Sequence, residues 1–199
     1  MISKTIITML FVMFISDLTY AQYDSVAHKL DSIHLNSIRL RKNVRPIIKQ
    51  YGMSSPEMDS LNREIFVFDS TSFIYIKGLI DRYGWLGKSE VGVAGNQALF
   101  LTVQHSDDID WLERAFPLLK KSALKGESSL YDAALLEDRL LVQRGELQKY
   151  GTQYYYDEDS NQYFFYPMEE RCKVNHRRKK LGLEKIKKYA KSNDILFED

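Results

Sequence analysis

Apolar side chains recur at the spacing of an amphipathic helix along most of the chain, and the breaks between the runs carry Pro or Gly. Residues 25–50 predict one or two helices, with Pro46 expected to break or kink the run. Pro56 is expected to open a helix that runs to Tyr83, where Gly84 can cap it. The other helices are predicted over residues 91–105, 109–125 with a division or restart at Pro117, 130–143, 171–181 and 184–191.

The apolar period changes to that of β-strands after Gly151. The aromatic segments QYYY and QYFFY are separated by residues 157–161, which predicts an antiparallel hairpin with a five-residue loop near residues 152–166. The predicted fold class is therefore mainly α, a single-domain helical bundle with one small antiparallel β-hairpin.

Aromatic side chains occupy both faces of the predicted hairpin. A five-residue loop pairs Tyr155 with Tyr163 and Tyr154 with Phe164. One face can pack on the helices, and the other can stack on a sugar or a peptide. The alternative use of these rings is to hold the two strands together.

The first 21 residues have the composition of a signal peptide rather than of a folded element. Lys4 precedes an apolar run over residues 5–15, and Ala21 is a small residue where a signal peptidase can cleave. A membrane-spanning helix needs roughly 20 apolar residues, so a retained anchor is the weaker alternative and the mature chain is expected to have no span. The sequence predicts export to the periplasm or the exterior, with residues 22–199 forming one helical domain.

The net charge of the chain excludes few functions, but the charged residues are unevenly distributed along the sequence. The 28 Lys and Arg nearly balance the 27 Asp and Glu, so nothing marks the chain as a nucleic-acid binder, and no nucleic-acid partner is expected. Residues 171–191, however, contain ten Lys or Arg and a single acid, Glu184. This run is either a solvated helix face or a surface for an anionic partner such as lipid head groups, a polysaccharide or an acidic loop.

A histidine lies on an apolar helix face. On an ideal helix that includes Ala94 and Ala98, His105 falls on the same side as these small residues. It is expected to be either a buried histidine with a hydrogen-bonding partner or a catalytic base or metal ligand. Asp107 and Asp110 are expected to cap the following helix.

The helix over residues 130–143 carries an acid on its apolar face. The projection places Glu137 among the leucines, and Arg144, two turns later, could pair with it. Asp138 and Arg139 project from the flanks. The pattern fits either structural pairing or a site carboxylate.

A set of short motifs resembles a family of uncharacterised bacterial domains of unknown function that is common in exported proteins of the Bacteroidetes type. The resemblance covers residues 57–190 and implies a single helical domain without an assigned activity. Leu86 and Ser72 depart from the pattern, where Pro and Asn would be usual, so the site could be locally altered. The motifs are Gly84-Trp85, Gln104-His105 with Asp107, Asp138-Arg139, Gln148, Tyr150-Gly151-Thr152-Gln153, Arg177-Arg178 and Leu181-Gly182-Leu183.

The resemblance also implies that several of these motif residues form one polar constellation. They are His105, Asp138, Arg139, Tyr150, Thr152 and Gln153.

Such a constellation could serve a hydrolase-like enzyme. His105 would be the general base, a carboxylate such as Asp138 would orient it, and Arg139 would stabilise developing negative charge. The ligand-binding candidates are Gln104, Asp107, Glu137, Tyr150, Thr152 and Gln153.

The motifs of covalent, zinc and nucleotide chemistry do not occur in the chain. His105, Asp107 and Glu137 are too scattered to predict a metal site, so no metal or cofactor is expected. The sequence favours a module that binds a small ligand, a glycan or a protein, with the hydrolase-like enzyme as the alternative.

Overall fold

The computed structural model describes the backbone of residues 4–157 and 159–197 and the side chains of residues 23–157 and 159–197. Its fold is mainly α, as predicted. The helices are α1 (Lys4–Arg41), α2 (Val44–Tyr51), α3 (Pro56–Tyr83), α4 (Lys88–Gln104), α5 (Ile109–Leu124), α6 (Leu130–Gln143), α7 (Val174–Lys180) and α8 (Ile186–Ser192), with a short 3₁₀ helix at Arg171–Lys173; the strands are β1 (Tyr154–Asp157), β2 (Gln162–Phe165) and β3 (Ile195–Leu196).

The contacts divide the chain into two compact units, residues 1–102 and residues 103–199. The prediction of a single domain over residues 22–199 therefore stays a prediction. The predicted signal peptide lies outside the residues whose side chains are described, so its cleavage and the export of the chain also stay predictions. Along the described part of the chain, no helix combines the length and the apolar character that crossing a membrane requires.

Helices α1, α2 and α3 form the core of the first unit. Leu40, Met58 and Leu61 are buried together there. The ends of α3 confirm the prediction: the Ser55 hydroxyl accepts from the Met58 N–H at the start, and Gly84 follows the end with a φ of +75°.

The predictions at the two prolines had different outcomes. The predicted break near Pro46 is confirmed: α1 ends at Arg41 and α2 begins at Val44, so Pro46 lies within the first turn of α2, where a missing N–H is tolerated. Pro117 lies inside α5, and the prediction that it divides this helix is wrong. The burial of Leu112 and Leu119 on either side holds α5 together, because packing outweighs one lost backbone bond.

The second unit packs α5 and α6 beside a three-stranded sheet and the two short helices α7 and α8. Residues 130–143 of α6 include no exposed position. The sheet has the order β1-β2-β3, with β1 and β2 antiparallel and β3 parallel to β2. Sequence analysis missed β3, since two residues are too few to show a strand period.

The predicted hairpin is present, but its predicted register is wrong by one residue. Tyr155 pairs with Phe164, and Asp157 pairs with Gln162. Residues 158–161 thus connect the paired positions. An oxygen of the Asp157 carboxylate accepts the Ser160 N–H at 3.0 Å, and this local bond draws Asp157 out of the expected loop and into β1.

The two faces of the hairpin have different surroundings. Tyr154, Tyr163 and Phe165 pack on a core that includes Ile186 and Tyr189 of α8. Because side chains alternate along a strand, the opposite face presents Tyr155 and Phe164.

Candidate functional site

Asp138 of α6 is fully buried and is surrounded by donors from one loop. Its carboxylate accepts the backbone N–H of Lys149 at 2.7 Å, that of Tyr150 at 3.0 Å and that of Thr152 at 3.0 Å. The Thr152 hydroxyl donates to it at 2.9 Å. Burial raises the pKa of Asp138, while these four donors act in the opposite direction.

Gln148 holds the same loop from the other side. Its buried side-chain amide donates to the carbonyl oxygens of Gln153 at 2.9 Å and Tyr166 at 2.8 Å. Its side-chain oxygen accepts from the N–H groups of Thr152 and Gln153, both at 2.9 Å. A primary amide offers two donors and about two acceptor sites, so Gln148 is fully satisfied.

Two arginines bind the carbonyl oxygens of this loop. Arg177 Nε donates to the carbonyl of Lys149 at 2.6 Å. A terminal nitrogen of Arg178 donates to the carbonyl of Tyr150 at 2.8 Å, while Arg178 Nε donates to that of Glu184 at 2.6 Å. Burial lowers the pKa of Arg178, whose guanidinium lies 4.8 Å from the ring centroid of Tyr189.

These interactions form what we call the loop clamp: Asp138, Gln148, Arg177 and Arg178 arranged around residues 148–153. Sequence analysis did not place Gln148, Arg177 and Arg178 among the site residues, although they belong to the motifs that carry the family resemblance. A further available signal was the position of two arginines at the centre of a run that is otherwise rich in lysine.

His105 does not occupy the buried seam that the ideal helix predicted. The helix α4 ends at Gln104, one residue before His105, so the helical projection does not apply to His105, and this residue is exposed. Sequence analysis also assigned the wrong cap to the next helix. Asp108, not Asp107 with Asp110, accepts the Trp111 N–H at 3.0 Å and caps α5.

Arg139 connects α6 to the segment that follows α4. It donates to the backbone carbonyl of Ser106 at 2.9 Å and contacts the Asp107 carboxylate at 3.4 Å. Burial lowers the pKa of Arg139, while the side chain of Asp107 is fully exposed. Gln104 is half-buried at the end of α4.

Glu137 is largely buried, but Arg144 is not its partner. Lys149 lies 2.8 Å from Glu137 and Lys120 lies 3.7 Å from it, whereas Arg144 pairs with Glu113. Burial raises the pKa of Tyr150, and the nearby charge of Glu137 raises it further.

The residues of the predicted polar constellation therefore lie in two separate places within the second unit. The loop clamp contains Asp138, Thr152 and Gln153 together with the backbone of Tyr150. Arg139 binds the segment next to His105 instead. Among the described residues, no group of three or more His, Cys, Asp or Glu is arranged to hold a metal ion.

A hollow of about 420 Å³ opens beside the sheet and is lined mainly by aromatic rings. The ring of Tyr155, which is 43% exposed, lies 5.9 Å from that of Phe164 and 5.2 Å from that of Tyr166. We call this hollow the aromatic cleft. It is lined by Tyr155, Phe164, Phe165, Tyr166, Pro167, Met168, Arg171, Leu196 and Phe197.

The loop clamp positions one wall of the aromatic cleft. Gln148 binds the carbonyl of Tyr166 through its side chain and that of Pro167 through its backbone N–H at 3.1 Å. The Glu169 N–H in turn donates to the Gln148 carbonyl at 2.9 Å, and Arg177 binds the Glu169 carbonyl. The buried polar network thus fixes the backbone of residues 166–169, which carries part of the lining.

Comparison with known proteins identifies a family. A protein-family model described as a family of unknown function, DUF6624, matches residues 30–198, a longer stretch than the 57–190 expected from the motifs. No curated protein and no solved structure matches. The match does not test the predicted export, the Bacteroidetes-type origin or the individual motifs.

Proposed function

The chain belongs to the DUF6624 family of unknown function, and we propose that it is a binding module whose site is the aromatic cleft and whose ligand is a glycan. The observation that carries this proposal is the cluster of Tyr155, Phe164 and Tyr166 at the edge of a hollow, on rings that the core does not cover.

The size and the lining of the aromatic cleft support a small-ligand site. Ligand pockets are commonly about 300–1,000 Å³, and they combine an apolar or aromatic lining with a few polar groups. The tyrosine rings expose faces of partial negative charge, which attract the C–H groups on the flat side of a sugar ring. The hydroxyls of Tyr155 and Tyr166 can bond to the sugar hydroxyls at its edge.

Rigidity of the wall supports the same function. A preorganised site binds more tightly because less conformational freedom is lost on binding. Buried hydrogen bonds from Gln148 and Arg177 hold the backbone of residues 166–169. The loop clamp then acts as the support of the cleft.

The state of Asp138 favours binding over hydrolysis. Its oxygens accept four hydrogen bonds from the loop at 148–152. To orient His105, the Asp138 carboxylate would have to accept a bond from the imidazole in addition to these four, and a structural role accounts for every one of these contacts. The hydrolase-like alternative, with exposed His105 as general base, stays a prediction.

We propose export as the setting for this function. The composition of residues 1–21 supports it, and the family match begins beyond them at residue 30. Cell-surface and extracellular glycans would be accessible to a protein exported in this way.

Binding to a glycan array, followed by calorimetry on the best oligosaccharide, tests the proposed function. Tyr155→Ala should weaken binding about tenfold, since the loss of a stacked ring costs about 1.4 kcal/mol, while Tyr155→Phe should retain most of it. Tyr51→Ala removes another half-exposed tyrosine, on α2, and is the matched control. Absence of binding to every glycan, or binding of peptides alone, would overturn the proposal.

A further inference from the structure

A second hollow adjoins the aromatic cleft. Its volume is about 540 Å³, and it shares Leu196 and Phe197 with the cleft as lining residues. We call it the lysine groove. Its other lining residues are Gln162, Lys187, Ala190, Lys191, Asp194 and Ile195.

Positive charge predominates along the two hollows. Arg171 lines the aromatic cleft, with its guanidinium 4.3 Å from the ring centroid of Phe197. Lys187 and Lys191 of α8 line the lysine groove, where Asp194 is the acidic lining residue. Three cations therefore accompany one carboxylate among the lining residues of the two hollows.

The basic run at residues 171–191 has more than one role. Arg177 and Arg178 donate hydrogen bonds to backbone carbonyl groups in the loop clamp. Lys173 pairs with Glu170, and Lys188 pairs with Glu184.

Several lysines of the run lie at the surface. Lys179 and Lys180 of α7 and Lys185 before α8 are exposed, as is Lys191 in the lysine groove. Excess positive charge around a concave site raises the local concentration of anions and speeds their association.

We propose that the glycan is anionic and spans both hollows. A sugar face stacks on Tyr155 and Tyr166 in the aromatic cleft, and the carboxylates of neighbouring units meet Lys187 and Lys191 in the lysine groove. Leu196 and Phe197 line both hollows, so the two sites adjoin. The inference rests on the proposed function and adds the charge of the ligand to it.

The test compares acidic polymers with their neutral esters. The full chain is titrated with oligosaccharides of polygalacturonate and of alginate, and with the same oligosaccharides after methyl esterification, which removes the charge but keeps the sugar. Each acid should bind at least about tenfold more tightly than its ester at low salt, and the difference should shrink as salt rises.

Charge-reversal variants distinguish binding in the lysine groove from non-specific electrostatic attraction to the whole protein. The double variant Lys187→Glu, Lys191→Glu should lower affinity for the acid to that of the ester or below it, because like charges repel, and should leave affinity for the ester unchanged. Lys121→Glu with Lys125→Glu changes the net charge equally at two exposed positions, one in the last turn of α5 and one directly after it, outside both hollows, and it should have a much smaller effect.

Equal affinity for acids and esters would overturn the inference and leave the proposed function intact, provided that Tyr155→Ala weakens both. Binding to neither acidic polymer would also overturn the inference. Binding of anionic phospholipid vesicles without binding of the acidic oligosaccharides would mean that the lysines serve a membrane surface, and would likewise overturn it.

Discussion

The backbone N–H and the side-chain hydroxyl of Thr152 both donate to the same oxygen of Asp138, at 3.0 and 2.9 Å. This double attachment connects the middle of α6 to the loop that leads into β1. Gln148 extends the network from Thr152 to the carbonyl of Tyr166. A single buried carboxylate therefore helps to place an aromatic wall that lies elsewhere in the same unit.

Asp138→Asn should destabilise the protein strongly. The new amide nitrogen would face N–H groups and would leave buried donors without acceptors, which costs about 2–4 kcal/mol in the free energy of unfolding. Urea denaturation followed by circular dichroism measures this loss.

The control for this variant is Asp107→Asn. It makes the same chemical change at a fully exposed side chain and should cost less than about 1 kcal/mol. If Asp138→Asn were as stable as the control, the loop clamp would not have the structural role assigned to it.

Gly151→Ala should be more harmful than Gly182→Ala. Both glycines have a positive φ, +66° and +70°, so each alanine incurs backbone strain of about 1–2 kcal/mol. At Gly151 the added Cβ would also lie 2.7 Å from Ile186 Cδ1 and 3.0 Å from Met168 Sδ, and such overpacking costs about a further 1–3 kcal/mol.

The space around Gly182 is open, so its alanine variant isolates the backbone strain. Thermal denaturation of the two variants and the parent should rank them in this order. Equal melting temperatures for the two variants would mean that the close packing at Gly151 contributes nothing.

Stability should fall at alkaline pH because of buried tyrosines. Burial raises the pKa of Tyr189 and of Tyr131 above their usual value of 10.0. Below that value both hydroxyls are neutral in the folded and unfolded states, and their contribution is fully present. As the pH rises above that value, the tyrosines of the unfolded chain ionise first. Their contribution to the free energy of unfolding is therefore lost between the pKa of the unfolded state and that of the folded state.

Tyr189→Phe should reduce this alkaline loss. The variant is expected to be less stable near neutral pH, since it loses the hydroxyl that donates to the Thr152 carbonyl at 3.4 Å. The gap in the free energy of unfolding between parent and variant should narrow as pH is raised beyond about 10. If urea titrations gave the same difference in the free energy of unfolding near neutral pH and above a pH of about 10, the prediction would be wrong.

Helices with local signals at their ends were predictable from the chain. Ser55 and Pro56 start α3 and Gly84 follows its end, so its bounds depend on interactions within a few residues. The α6 helix likewise begins after the Ser129 cap and covers the predicted residues. Helix existence at these positions needed no tertiary information.

Side-chain partners and the strand register were not predictable in this way. The projection of His105 assumed a helix that continues beyond Gln104, and the partner of Glu137 proved to be Lys149, which lies beyond the end of α6. The hairpin register shifted because Asp157 formed a local bond with Ser160. In each case alternative partners or registers of similar energy were available, and the local sequence pattern does not decide between them.

By itself, the sequence determined the mainly helical fold and the presence of the aromatic hairpin. Helical period, caps and strand-forming aromatics act over short distances, so they can be recognised without a fold. Only the tertiary structure decided that Asp138 supports a loop, that Arg177 and Arg178 face inward, and that Tyr155 borders a hollow. These outcomes depend on which backbone groups lose contact with water, and that is set when distant segments pack together.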